Sequence, residues 1–132
     1  MPGEASARAV LVVDDEVILG RSVKRMLARD YQVTLATSAH EALALFASGS
    51  SFDLILCDLM MPSMTGMDLF DELRRTQPGV AARFVFVTGG AFTERARRFL
   101  EEVPNPRLEK PFDSSALREL VSAQISMLKA ER

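Results

Sequence analysis

Phe52-Asp53-Leu54-Ile55-Leu56-Cys57-Asp58, followed by Leu59-Met60-Met61-Pro62-Ser63-Met64-Thr65-Gly66-Met67, is the stretch from which the fold of this 132-residue chain is read. Its third apolar run, residues 52–57, is short, has an unbroken Leu-Ile-Leu-Cys centre and closes on Asp58. A brief apolar run without polar alternation is the mark of a strand buried on both faces. Pro62 and Gly66 bracket a loop, after which Met67, Phe70 and Leu73 recur at helical spacing. A buried strand passing directly into an amphipathic helix is half of a βαβ unit.

The same unit recurs on either side. Upstream, residues 9–13 form an apolar run closed by Asp14-Asp15, and Ile18, Leu19, Val23, Met26 and Leu27 then share a helical face. Val33 and Leu35 alternate with polar neighbours, which suits a strand near a sheet edge. Ser38 with Glu41 three residues on predicts a capping box, Ala42, Leu45 and Phe46 an apolar stripe, and Gly49 a stop. Downstream, Gln77-Pro78-Gly79 reads as a turn, and residues 84–87 as a fourth strand ending at Thr88-Gly89-Gly90. Phe92, Ala96, Phe99, Leu100 and Val103 share the next helical face, which Pro104-Asn105-Pro106 ends. Residues 107–109 predict a fifth strand leading into Lys110-Pro111. Asp113 or Ser114 caps a last helix striped by Leu117, Leu120, Val121, Ile125 and Leu128. Five alternations of strand and helix predict an α/β fold, a (βα)5 sandwich with a parallel sheet covered on both faces. One domain is expected over residues 1–132, its core spanning about 8–128, without repeats or linkers.

Composition narrows the function classes. A formal net charge of −2 gives no reason to expect direct nucleic-acid binding. One cysteine, Cys57, excludes an internal disulfide and a Cys-based zinc cluster, and is expected buried as a small hydrophobe. Residues 1–8 lack the apolar segment of a secretory signal, and no apolar run is long enough to span a bilayer. A soluble, cytoplasmic chain without membrane contact is the expectation. His40, the one histidine, begins the second helix and should face solvent.

Open parallel sheets gather their chemistry at the carboxyl ends of the strands. Here those ends carry Asp14-Asp15, Asp58, Thr88 and Lys110. Three carboxylates brought together repel one another and raise at least one pKa, a conflict a divalent cation resolves. Magnesium takes carboxylate, water and phosphate oxygens, which leaves one carboxylate oxygen free as nucleophile toward a phosphoryl group. Lys110 at about 4 Å from phosphoryl oxygens, at an effective dielectric near 20, contributes on the order of 4 kcal/mol before desolvation. Thr88 offers a short hydroxyl donor. Each residue alone has an ordinary structural role: Asp14 and Asp15 as helix caps, Asp58 as a turn residue, Thr88 as a strand end, Lys110 as surface charge. Their joint placement on four strand ends favours the site.

Val12-Val13-Asp14-Asp15-Glu16, Cys57-Asp58-Leu59-Met60-Met61-Pro62 with Gly66, Val87-Thr88-Gly89-Gly90, and Glu109-Lys110-Pro111-Phe112 together resemble a response-regulator receiver domain of two-component signalling systems. The resemblance covers residues 8–128. It implies a flavodoxin-like fold of strand order 2-1-3-4-5 and Asp58 as phosphoacceptor. It implies Mg2+ ligands from Asp15, Asp58 and the backbone carbonyl of Met60, with Asp14 acting through water. Lys110 and Thr88 would contact the phosphoryl group, the bond from Lys110 to Pro111 would be cis, and movement of Thr88 would pull the following loop. The implied partners are a sensor histidine kinase or phosphotransfer protein, with an output partner on the face formed by the helix after strand four, strand five and the last helix. The stretch from Pro104 to Phe112 is similar to receivers attached to hybrid sensor kinases.

Three departures stand out. Arg107 occupies the place three before the lysine where the family carries an inward-turning aromatic, which puts that half of the switch in doubt. Met60 and Gly90, two residues past Asp58 and Thr88, cannot hydrogen-bond an attacking water through their side chains, so slow self-dephosphorylation is expected. Met61 and Met64 are expected on the loop as part of a partner surface, and Arg95, Arg97 and Arg98 as a solvated basic face. Two rivals are carried. A pseudo-receiver would bind partners without phosphorylation. A phosphatase of the haloacid dehalogenase type would need Asp-x-Asp after the first strand, where this chain has Asp14-Asp15-Glu16, and room for a cap domain.

Overall fold

Unbroken β-branched and leucine-rich runs supply the sheet, and the segments between them have the periodicity to cover it. The computed structural model describes residues 8–90 and 93–130. Its strands are β1 (Ala9–Val13), β2 (Gln32–Ala36), β3 (Leu54–Asp58), β4 (Phe84–Thr88) and β5 (Arg107–Glu109). They lie parallel in the order β2-β1-β3-β4-β5. The helices are α1 (Val17–Leu27), α2 (Ala39–Ala47), α3 (Gly66–Thr76), α4 (Glu94–Glu102) and α5 (Ser114–Ala130).

Side chains alternate across each strand, so the central strands feed two cores. Val10, Val12, Leu54, Leu56, Val85 and Val87 join Val23 and Leu27 of α1 and Leu117 and Val121 of α5. Leu11, Ile55, Cys57, Phe84 and Phe86 face α2, α3 and α4. On that side Phe70, Phe84, Phe86 and Phe99 form an aromatic knot with centroids 5.1 to 5.6 Å apart. All but the tilted Phe84–Phe86 pair meet edge-to-face, an arrangement that adds about 0.5–1.5 kcal/mol per pair beyond burial.

The expected strand order and edge position of β2 are present, and the helix faces are as expected except at Ile18, which is 86% exposed because it sits on the outer side of the first turn of α1 while Leu19, Val23, Met26 and Leu27 meet the core. Asp53, assigned to the third strand by its sequence, instead clamps the start of β1, its Oδ2 accepting from the Ala9 amide at 2.8 Å. Ser38 Oγ accepts from the Glu41 amide as expected, but Glu41 reaches back to the amide of Thr37, not Ser38. The capping box is thus incomplete there; a full one appears at α3, between Thr65 and Asp68. The expected turn at Gln77-Pro78-Gly79 is a single helical turn, Pro78–Ala81, with proline at its start, where a missing N–H costs nothing. Asp113 caps α5 by accepting from the Ala116 amide. Met61 is a correction: it is buried, and Met64 packs beside it against the core, so the loop turns both inward. Phe92 lies outside the described residues.

Candidate functional site

Strand register gathers the site. Val13 lies opposite Cys57, Asp58 opposite Val87, and Thr88 opposite Glu109, so the residues ending β1, β3, β4 and β5 meet along one rim. Asp58 is buried; its Oδ1 accepts from the Met60 amide at 3.4 Å and its Oδ2 lies 3.7 Å from Lys110 Nζ. Asp14 is also buried, with Oδ1 accepting from the Glu16 amide at 2.9 Å and Oδ2 3.9 Å from Lys110 Nζ. That bond makes a local turn, and Glu16 is the residue at the α1 N-cap, without a side-chain cap bond. Lys110 is aimed by its own amide, which donates to the Thr88 carbonyl at 2.8 Å, and its bond to Pro111 is cis. At 3.7 to 3.9 Å the ammonium is suspended among carboxylates, too far for a direct hydrogen bond to any of them.

Thr88 supplies the sharpest signal. Its Oγ1 is buried and has no hydrogen-bond partner among the described residues. An unsatisfied buried hydroxyl costs about 1–3 kcal/mol and therefore points to a ligand oxygen it is placed to meet. It lines a cleft of about 220 Å³ with Glu16, Asp58, Met60, Gly89 and Lys110. Asp14, Glu16 and Asp58 each offer a carboxylate oxygen within 4.8 Å of the others, a donor set suited to a hard divalent cation.

The electrostatics follow from burial and crowding. Burial pushes the Asp58 carboxyl up from 3.8 to about 6; Lys110 opposes the rise, Asp14 and Asp15 add to it, and the Met60 amide opposes it. Asp14 is raised chiefly by burial too, against the Glu16 amide and Lys110, with Glu16 and Asp15 as like charges. Burial, then the charges of Asp58 and Asp14, push the Cys57 thiol well up, which keeps it protonated and unreactive.

The backbone around Asp58 is held from below. A Cβ on Gly66 would stand 2.1 Å from the Asp58 carbonyl oxygen, so only glycine fits. The Gly66 amide donates to the Leu59 carbonyl at 3.0 Å, which seats the start of α3 directly against the end of β3.

A family model described as the response regulator receiver domain matches residues 10–122. The chain belongs to the response regulator receiver domain family. The receiver is 33% identical over 127 residues to the sensor kinase CckA of Brucella abortus (strain 2308), covering 96% of this chain and 13% of that kinase. It is 40% identical over 105 residues to a response regulator receiver protein of Anaeromyxobacter sp. (strain Fw109-5), covering 75% of this chain and 43% of that protein. A CheY-like receiver domain protein from Methanospirillum hungatei JF-1 superposes with a TM-score of 0.84 at 28% identity, covering 96% of this chain and all of the other. Receiver domains work with histidine kinases or phosphotransfer partners and hold Mg2+ through acidic residues.

Within this receiver, Asp14, Asp58, Thr88 and Lys110 converge as the strand ends require. Asp15 is half-buried and acts on Asp14 and Asp58 as a like charge, but the carboxylate that completes the tight trio is Glu16. Glu16 and Gly66 are both visible in the sequence, where one only extends an acidic run and the other only closes a loop. Arg107 is exposed beside Arg97, Leu100 and Glu101, so no inward aromatic stands at that place. His40 is exposed, and Cys57 is buried. The basic cluster is neutralised locally: Arg97 pairs with Glu94 and Glu101, Arg98 with Glu94, while Arg95 reaches Asp68 on α3 at 2.8 Å.

Proposed function

We propose that this receiver accepts a phosphoryl group on Asp58 from a phosphohistidine of a sensor kinase or phosphotransfer protein, and from small donors such as acetyl phosphate. The observation that carries the reading is the orphaned Thr88 hydroxyl, in one cleft with the Asp58 carboxylate and the Lys110 ammonium. An Asp58 oxygen attacks phosphorus in line, the bond to the donor nitrogen breaks, and the departing imidazole takes up a proton. Lys110 leaves its shared position to pair with a phosphoryl oxygen, and Thr88 donates its hydroxyl to another.

The carboxylate oxygens gathered from Asp14, Glu16 and Asp58 suit magnesium, and by family resemblance Asp15, Asp58 and the Met60 carbonyl would hold the ion, with Asp14 acting through water. Bound there, it supplies neutralisation of the carboxylates and of the incoming phosphoryl oxygens. Movement of Thr88 toward the phosphoryl group would draw the loop at Gly89 and Gly90 and bias the surface formed by α4, β5 and α5. One domain and a cytoplasmic setting belong to the same reading. Among the described residues no helix is long and apolar enough to cross a membrane. Likeness to CckA along 96% of this chain supports a segment of a sensor kinase, while likeness along 96% of this chain to the whole of the Methanospirillum hungatei receiver supports a free-standing regulator equally.

Intact mass after treatment with acetyl phosphate and magnesium tests the reading. One labile phosphoryl group is expected, absent in Asp58→Ala; an equal adduct on that variant overturns the assignment. Exposed Arg107 is the one feature favouring the rival, a phosphorylation-independent interaction module. Beryllofluoride with magnesium separates the two: a cooperative amide shift around Thr88 belongs to the switch, and unchanged spectra to the rival.

A further inference from the structure

Glu16 is the one member of the carboxylate trio that faces solvent. Its side chain is 64% exposed, stands at the rim of the cleft, and places Oε2 3.7 Å from Lys110 Nζ. The other two members, Asp14 and Asp58, are buried below it. A donor that enters the cleft toward Asp58 therefore meets the field of this carboxylate.

The charge balance makes that passage selective. Asp14, Asp15, Glu16 and Asp58 against Lys110 leave three negative charges. A divalent cation reduces this to one, and the charge that remains is matched in size by Glu16 alone. Removing Glu16 brings the loaded rim to neutrality. Because Glu16 also shares the Lys110 ammonium with Asp58, it draws away part of the positive field that an entering phosphoryl group would meet.

We propose that Glu16 is a specificity-determining residue, a rim charge that disfavours doubly charged phosphodonors relative to singly charged ones. The proposal rests on Asp58 being the phosphoacceptor. It places the barrier in Coulomb repulsion at the mouth, so its size scales with donor charge and falls with salt. At about 6 Å in water-like surroundings and about 0.15 M salt, one rim charge slows a dianion roughly three-fold and a monoanion less than two-fold. A phosphohistidine brought in by a docked protein is penalised least, since contacts elsewhere hold it in place.

The test measures second-order phosphorylation rates by intact mass at pH 7, with magnesium raised until rates stop rising. The donors are acetyl phosphate, a dianion, and phosphoramidate, which carries one net negative charge. Glu16→Gln should speed acetyl phosphate about three-fold and phosphoramidate under two-fold at about 0.15 M salt, and Glu16→Lys should give about the square of each ratio. In about 1 M salt both Glu16→Gln ratios should fall below roughly 1.5. Equal changes for both donors, ratios indifferent to salt, or no change overturn the proposal while leaving Asp58 in place. A wild-type protein unmodified by either donor removes the Asp58 reading, and this inference with it.

Discussion

Asp58→Asn should stabilise the protein at neutral and alkaline pH. Asp58 is a carboxyl whose folded value is raised, from 3.8 to about 6, mainly because burial penalises its charge. The folded state therefore binds the proton more tightly than the unfolded chain. Stability is greatest while the group is protonated in both states, falls as pH rises from about 4 through 6, and stays low above that. At about 1.36 kcal/mol per tenfold, the full effect is on the order of 3 kcal/mol, with about 1 kcal/mol already lost at pH 4.5. Asparagine keeps the shape and removes the charge. In urea titrations with chelator present, and with a slope of about 2 kcal/mol/M, its midpoint should exceed the wild-type midpoint by about 1 to 1.5 M at pH 8. The gap should shrink to about 0.5 M at pH 4.5. A variant less stable than wild type at pH 8, or a gap indifferent to pH, would show that burial and like-charge crowding do not dominate this carboxyl.

Magnesium should relieve the same strain: at a concentration about tenfold above its dissociation constant, wild type should gain about 1.4 kcal/mol in urea titrations, chelation should reverse it, and Asp58→Asn should gain far less. Gly66→Ala should cost about 3 kcal/mol or more by the same measurement, because its Cβ would stand 2.1 Å from the Asp58 carbonyl oxygen; a near-neutral result would refute that contact. Thr88→Val should be neutral or stabilising by about 1 kcal/mol, since the hydroxyl it removes has no partner among the described residues, while phosphorylation followed by intact mass slows. The phosphorylated protein should lose its phosphoryl group over minutes or longer in magnesium, because neither Met60 nor Gly90 offers a side chain to orient water; a half-life of seconds contradicts this.

The strand order and the gathering at the rim were legible because they depend on periodicity and on where apolar runs stop. Asp58 and Thr88 each sit at the end of such a run, Lys110 follows the short strand Arg107–Glu109, and parallel register then leaves them little choice of position. What escaped the sequence depends on contacts between segments. Gly66 reads as a loop residue until the Asp58 carbonyl is found against it. Glu16 differs from Asp15 only by one place along the chain, and the turn made by Asp14 decides which carboxylate swings over the cleft. Met61 looked like surface because loops usually are, but this loop folds back on the core. At Pro78 the breaker signal was sound; a proline that cannot continue a helix can still begin one.

The mooring of α4 has a consequence for how such a module diversifies. Among its residues only Ala96 and Phe99 are buried, and Phe99 meets the rings of Phe70 and Phe86 edge-on. A helix that meets the core through so few side chains, with Arg95 tied to Asp68 on α3, can be redecorated on its outer side with little disturbance to the sheet beneath. New listeners can thus be acquired by changing the outward residues of a single lightly tethered rod, while the chemistry at the strand ends goes on unaltered.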